Sequence, residues 1–599
     1  MADGFNDRFS KILLALGAAL AASAFFLPVI NPDLFWHLSA GRFMFDHGAV
    51  PRADFLSWTM AGRPWFDFEW LAQLIYYWLF LKGGMTALYV FKAGLLLLTL
   101  VPFYQVIRLH KAEGSAFFLL PALAGALVTN SDLRPENFSV LFFAVVFWRL
   151  EAARLAPSFR AGAAGLALTL GLFAVWTNLH AGFLYGAALI GFYAAGDLFE
   201  GALPYIYGRR RDIPVGKWAQ YLKFLAAALA ASFINPYGWR LYEVIANHQR
   251  HIAVLQEYIQ EWKPFDLTNI YQWPYIALLS LAFGRVLWRF LKTKAIVYEH
   301  LIALLFFAWS SSNHSRHAPF FSIAAAICLA SVPVSAAARP LLRSALKLVL
   351  IAVFALYYKL FVWSQYSGPA WFGNCSESLV VFLNENAGRL SGLRLFNYWG
   401  WGGYLGFALS PDYKVFADGR YLFHEFLEEI MNSRNNPAAW QHFNAKYGFE
   451  LMVLNRDQSR ISVKHRFESG REAVALRPAY LFYLPKKDWA VVYWDAKVVV
   501  LVKRAAADPA WLAANEYKLL RPDDMENAAA AALEGELRMG ELKAEAERFA
   551  ARTAAGRPPA GCACGLEELF GPDVVKKQMS AWLGLLEKNC GEKGAKCRK

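Results

Sequence analysis

The sequence predicts an α-helical polytopic membrane protein with about eleven transmembrane helices at 1–364, an α/β domain at 365–505 and a helical, cysteine-containing tail at 506–599. Three observations predict this. Of the 599 residues, 57% are hydrophobic and only 18% charged, against roughly 25% charged in soluble domains. Apolar segments recur near 12–30, 85–107, 116–130, 138–150, 162–178, 181–199, 219–234, 271–288, 297–311, 318–334 and 344–364, and a bilayer core takes about 20 residues of helix. Past about 365 these runs stop, and short β-rich stretches alternate with helical ones.

The first segment reads as an uncleaved signal-anchor. Ala21-Ala22-Ser23-Ala24 resembles a cleavage site, but the leader, with Asp3, Asp7, Arg8 and Lys11, is poorly basic and more spans follow. Basic residues fix the orientation. With the N-terminus inside, cytoplasmic loops hold sixteen Lys or Arg, among them Arg108, Arg149, Arg154, Arg209, Arg210, Arg211, Lys217, Arg289, Arg339 and Lys347. The outer loops between Asp132 and His317 hold only Arg134, Arg240, Arg250, Lys263 and Arg316. This bias accounts for the net charge of +14, and no basic-aromatic platform for nucleic acid occurs. Trp70–Leu81 would reverse the bias if it crossed the membrane. It is therefore expected to lie along the outer surface, within one large first outer loop at 31–83.

In the α/β domain, Leu393–Asn397, Tyr413–Ala417 and Phe449–Leu454 read as strands, and Trp489–Trp494 with Lys497–Val502 as a hairpin. Glu526–Ala555 is rich in helix formers. No internal repeat is visible. Cys562, Cys564, Cys590 and Cys597 form an even-numbered cluster that reads as two disulfides in an oxidising compartment, or alternatively as a zinc site. Cys328 reads as a buried helix residue, and Cys375 has no evident partner.

Five polar islands interrupt the apolar segments, and the threading brings all of them to the non-cytoplasmic side. Ionisable groups at membrane depth mark reaction or transport sites. Asp33, after Asn31-Pro32, is a candidate general base or metal-binding carboxylate, or simply a helix-terminal polar residue; His37 is placed to orient it. Asp67 and Glu69, between aromatics, are candidates for acceptor or divalent-cation binding, or for capping the next helix. Arg134 and Arg316 suit a phosphate bidentately. His180, in the Asn178-Leu179-His180 turn, and His314 stand beside them as candidate phosphate-binding residues. The loop Asn235-Pro236-Tyr237-Gly238-Trp239 reads as a structural turn, and Gly400–Tyr404 with Asp418-Gly419-Arg420 as scaffold or acceptor-binding turns.

Together, Asp33-Leu34-Phe35-Trp36-His37-Leu38, Arg134-Pro135, Asn178-Leu179-His180-Ala181-Gly182, Asn235-Pro236-Tyr237-Gly238-Trp239, Trp401-Gly402-Gly403-Tyr404-Leu405 and Asp418-Gly419-Arg420 resemble a large group of bacterial multi-pass proteins. The match runs from about residue 10 to about 455. That group is similar to the GT-C superfamily of membrane glycosyltransferases. The resemblance implies a polyprenyl-phosphate sugar donor, a glycan, lipid or protein acceptor outside the cytoplasmic membrane, and a catalytic carboxylate in the first outer loop, which Asp33 matches. Many superfamily members carry a paired acidic motif there, whereas Asp33 is followed by Leu34-Phe35. A transporter or flippase for a lipid-linked sugar and an envelope assembly scaffold are the alternative readings.

Overall fold

The computed structural model describes residues 2–202, 216–266, 268–294, 296–331, 340–365, 376–434, 436–456, 459–495, 497–555 and 572–592. Cys375, Cys562, Cys564, Cys597, Arg209–Arg211 and Arg339 lie outside them. The chain divides into two compact units. One is Met1–Asn31, Ala40–Arg52 and Phe66–Gly368; the other is Pro32–Ser39, Ala53–Trp65 and Pro369–Lys599.

Each of the eleven apolar segments is helical over most of its described residues in the first unit. Its helices are α1 (Ala2–Ser23), α2 (Leu34–His47, begun in the second unit), α3 (Trp70–Leu109), α4 (Ala116–Leu127), α5 (Glu136–Leu155), α6 (Ala163–Thr177), α7 (Phe183–Ala202), α8 (Trp218–Ala231), α9 (Arg240–Arg250), α10 (Ile252–Tyr258), α11 (Trp273–Thr293), α12 (Tyr298–Asn313), α13 (Ala318–Ala330) and α14 (Pro340–Tyr357). Among the described residues, α3 and α11 alone are long and apolar enough to cross a bilayer by themselves. The expected surface helix and the second span are one element, α3, broken at Gly83 and Gly84, where Gly84 has φ +59°. Only glycine takes that left-handed value without strain, so Trp70–Lys82 changes direction before the apolar run begins.

Aromatic side chains fill the core between these helices. Phe143 meets Phe307 and Phe320 edge-on at 5.1 and 5.2 Å between centroids, and Phe147 meets Tyr193 at 5.8 Å. Outward faces carry exposed Val90, Leu168, Leu281, Leu291, Leu305, Trp309 and Val353. A helix apolar on both faces belongs in lipid rather than water. Where α5 ends, Lys217 donates to the carbonyls of Ala153, Arg154 and Ala156 at 3.0, 2.7 and 2.7 Å, satisfying orphan acceptors of the last turn.

The second unit holds a four-stranded sheet in the order β1-β2-β6-β5. Its strands are β1 (Leu395–Asn397), β2 (Leu451–Asn455), β5 (Trp489–Trp494) and β6 (Val498–Lys503). β1 runs parallel to β2 and the other pairs are antiparallel. The expected hairpin is β5–β6. Tyr413–Ala417 is not a sheet strand: Val415 makes a single parallel bridge with Ser57, because a first-loop segment rather than a sheet edge lies beside it. A separate hairpin of β3 (Arg460–Arg466) and β4 (Glu472–Pro478) was not expected from the sequence.

The division placed at 505 is no boundary in the fold. Tyr517, Leu520, Leu542, Phe549 and Met579 enter the same core as Phe396, Phe416, Trp440 and Val491. Phe549 stacks on Trp494 at 3.9 Å. The tail thus packs into the core that the sheet residues share. Cys590, in the last described helix, is disulfide-bonded, with its partner outside the described residues, and Cys328 is a buried free thiol.

Candidate active site

Four of the five polar islands meet in the first unit, and the first turn of α5 joins them. Glu136 and Ser139, three residues apart, lie on one helix face. Glu136 accepts from Arg316 Nε at 3.3 Å. Ser139 Oγ accepts from Trp176 Nε1 at 2.7 Å and contacts His180 Nδ1 at 2.8 Å.

His180 has one tautomer available when neutral. Its Nδ1 accepts the Gly182 backbone N–H at 3.0 Å, so Ser139 donates to the same atom and the ring proton sits on Nε2. Nε2 faces Glu69 Oε1 at 3.9 Å. A Cβ on residue 182 would lie 2.4 Å from Ser139 Oγ, which explains Gly182. Asn178 ties the same turn to two other segments. It accepts from Trp70 Nε1 and donates to the carbonyls of Ala174 and Ile234, each at 2.7 Å. Asn235 closes its own turn by accepting from Tyr237 N at 2.8 Å, the structural role expected of that loop. Glu69 makes no side-chain cap on α3, so the capping alternative fails for it. Asp67 is buried and accepts from Gln73 Nε2 at 2.6 Å.

Arg134 and Arg316 converge on one carboxylate, Glu261. Arg134 Nη1 pairs with Oε2, and Arg316 Nη1 lies 3.2 Å from Oε1. Arg316 also sits over the Trp262 ring at 5.3 Å. Burial opposes the charge on Glu261, but Arg134 and then Arg316 outweigh it and hold the carboxyl below its usual range. The two guanidiniums are therefore preorganised and internally compensated, and of the carboxylates that the sequence offered as their partners, Glu136 pairs with Arg316. His314 Nδ1 donates to the Trp262 carbonyl at 3.1 Å. His317, 2.8 Å from Ser310 Oγ, is pushed down to about 3 by burial and by Arg316. Among the described residues, no three His, Cys, Asp or Glu side chains gather as a metal site.

The fifth island belongs to the second unit. Asp33 is not at the end of α1, which stops ten residues earlier at Ser23, but immediately precedes α2. Its carbonyl accepts from His37 N at 3.3 Å. His37 is buried and packs on Trp36 at 3.6 Å between ring centroids. The Asp33 side chain lies against the Asp418-Gly419-Arg420 turn: a Cβ at 419 would stand 2.0 Å from Asp33 Oδ1 and 3.5 Å from Trp36 Nε1. The glycines at 402 and 403 serve the same assembly. A Cβ at 402 would meet the Ala417 carbonyl oxygen at 1.9 Å, and one at 403 would stand 3.0 Å from the Pro32 oxygen.

Beneath this turn Arg420 is 1% exposed. Asp418 accepts from its Nε and Nη2, and Asp54 Oδ1 lies 2.5 Å from Nη2. Its guanidinium covers the Trp65 ring at 4.7 Å. Burial disfavours the cation, but Asp418 and Asp54 more than offset this and raise the Arg420 pKa above its ordinary value. Arg420 Nη1 and Trp36 Nε1 are buried donors with no hydrogen-bond partner among the described residues. Sequence reasoning missed Asp54 and Ser139, since a lone Asp in a loop and a Ser in an apolar helix carry no spacing signal.

No family model and no curated protein matches the chain. Solved structures do. The apo oligosaccharyltransferase of Archaeoglobus fulgidus aligns with a TM-score of 0.53 at 12% identity, over 97% of this chain and 87% of that one. The chain shares the fold of that oligosaccharyltransferase. ArnT from Cupriavidus metallidurans bound to undecaprenyl phosphate aligns at TM-score 0.44 and 13% identity, over 85% of this chain and 100% of that one. The arabinofuranosyltransferase AftD from Mycobacteria aligns at 0.46 and 13%, over 83% and 40%. The neighbours are polytopic membrane proteins, in keeping with the apolar outer faces of the helices here.

Proposed function

We propose that the protein is a membrane glycosyltransferase that moves a sugar from a polyprenyl-phosphate donor to an acceptor hydroxyl outside the cytoplasm. The observation that carries this reading is the half-buried Asp33 carboxylate, seated against Gly419 beside the unpartnered Trp36 indole N–H. A carboxylate so placed is rigid and still reachable. Asp33 takes the proton of the acceptor hydroxyl while that oxygen bonds to the anomeric carbon. The bond from that carbon to the phosphate oxygen breaks, and the polyprenyl phosphate leaves with the electron pair. General-base help of this kind is worth about 10²–10⁴-fold.

Arg134 and Arg316 suit binding of a phosphate group, with His314 and the Nε2–H of His180 as further donors. Glu261 supports this role by holding both guanidiniums in place, so that little side-chain freedom is lost on binding. Asp67 and Glu69 contact the acceptor. The same fold in an oligosaccharyltransferase agrees in kind with this chemistry.

The test compares envelope glycans by mass spectrometry in cells with and without the protein, then in cells carrying Asp33→Asn. A glycan lost on deletion, restored by wild type and left missing by normally inserted Asp33→Asn is the expected result. Restoration by Asp33→Asn would remove the assigned base.

A further inference from the structure

A second polar cluster lies at the other end of the helices that carry the candidate phosphate site. On α5, fifteen residues separate Glu136 from Glu151, and on α12 thirteen separate His300 from Asn313, or about 20 Å along each axis at 1.5 Å per residue. Glu151 is fully buried and saturated. It accepts from Arg154 Nε and Nη2 at 2.9 and 3.1 Å, His110 Nε2 at 2.6 Å, His300 Nε2 at 2.9 Å and the Tyr193 hydroxyl. Its charge is spent on those donors.

Next to it a narrow, partly open cleft is lined by Arg285, Arg289, Val297, His300, Cys328 and Ser331. No carboxylate lines it. Arg285 and Arg289 stand four residues apart on one face of α11. Glu200 acts electrostatically on Arg289 and favours its cation, the Arg289 carbonyl accepts from Thr293 Oγ1 at 2.8 Å, and Arg285 lies 4.4 Å from the Trp288 ring centroid. His300 donates its Nε2 proton to Glu151, which turns Nδ1 toward Ser331 Oγ at 3.5 Å. On either side of the arginines, Leu281, Leu287, Trp288 and Leu291 are exposed. The cleft is thus cationic within and bordered by lipid-facing apolar surface. A small inorganic anion matches only the first property; an amphiphile with an anionic head matches both.

We propose that the Arg285–Arg289–His300 cleft binds the phosphate headgroup of an anionic phospholipid, at the end of the helical unit opposite Arg316. The ligand is a resident of the bilayer rather than a substrate. The site is independent of the Asp33 chemistry, and its failure would leave that reading untouched.

The experiment is native mass spectrometry of the full-length protein from nanodiscs of phosphatidylcholine doped with phosphatidylglycerol. Each arginine contributes roughly fivefold to anionic-lipid affinity near a membrane surface. Arg285→Gln/Arg289→Gln is therefore expected to lower phosphatidylglycerol retention roughly 25-fold. Ser331→Asp keeps both arginines and brings a carboxylate into the cleft, and is expected to lower retention as well. Inorganic phosphate in the phosphatidylcholine-only arm is expected to leave the melting temperature unchanged. Equal phosphatidylglycerol retention by wild type and a folded variant, or stabilisation by phosphate alone equal to that by the lipid, would overturn the proposal.

Discussion

Asp33 Oδ1 occupies the space that a side chain on residue 419 would need, 2.0 Å from the position of the missing Cβ. The glycine of the Asp418-Gly419-Arg420 turn is therefore a seat for the carboxylate. In Gly419→Ala the obstructed atom is the tip of a short side chain, which can swing away without disturbing the backbone. The fold is expected to survive and the base to be misplaced. Misplacement of about 1 Å costs on the order of 10²-fold in rate. Gly402→Ala is the contrast: its Cβ would meet a backbone oxygen at 1.9 Å, so stability should fall. Sugar-transfer rates and melting temperatures of both variants check the pair. Loss of stability without loss of rate in Gly419→Ala would contradict it.

Much of this architecture was legible in the sequence because lipid-facing helices leave a composition signal that water-soluble ones do not. Each apolar segment is helical over most of its described residues, and Gly83-Gly84 marks where α3 breaks. The second unit was harder. Tyr413–Ala417 alternates like a strand, yet its partner is Ser57, more than 350 residues away in sequence. No local pattern foretells such a pairing. The arginines at 134 and 316 were recognised, and Glu261 could be read either way from the sequence, but its pairing with both was not legible, since a carboxylate in a distant loop has no fixed spacing from them. Gly419 was visible only as a turn residue; its role depends on Asp33.

Arg420 binds two buried carboxylates, Asp54 and Asp418, and removal of the cation leaves both uncompensated. Arg420→Met should destabilise the second unit by about 3–5 kcal/mol, the usual cost of breaking a buried ion pair. Arg420→Lys should rescue only part of this, since an ammonium cannot reproduce the forked geometry. Thermal melts of the purified protein check the order wild type, Lys, Met. Equal midpoints for the Lys and wild-type proteins would show that charge alone suffices.

Asn178 joins three segments through its side chain: Trp70 before the α3 apolar run, Ala174 in α6 and Ile234 before the Asn235 turn. Asn178→Ala leaves the Trp70 N–H and two carbonyls without that partner, and a buried unsatisfied polar group costs about 1–3 kcal/mol. A lower melting temperature is expected. A fall in transfer rate should accompany it, because the His180 turn loses its anchor. Asn178→Asp keeps the acceptor for Trp70 but not the two donors, and should fall between wild type and Ala.

The Arg316 corner should loosen in acid. His317 has a folded value of about 3, below its ordinary 6.5, so between those values the unfolded chain binds the extra proton. Its contribution to stability is therefore complete above about pH 6.5 and declines as pH falls toward 3. Glu261, held below the carboxylate range by Arg134 and Arg316, acts in the same direction: its contribution is present above about pH 4.3, the unfolded value, and is lost as pH falls through the folded one. His317 should respond first. Melting temperatures taken from about pH 7.5 down to about pH 4.5, a range that brackets the unfolded His pKa, should drop more steeply for wild type than for His317→Gln, which has no proton to take up. Parallel curves for the two proteins would mean that acid acts on the molecule elsewhere.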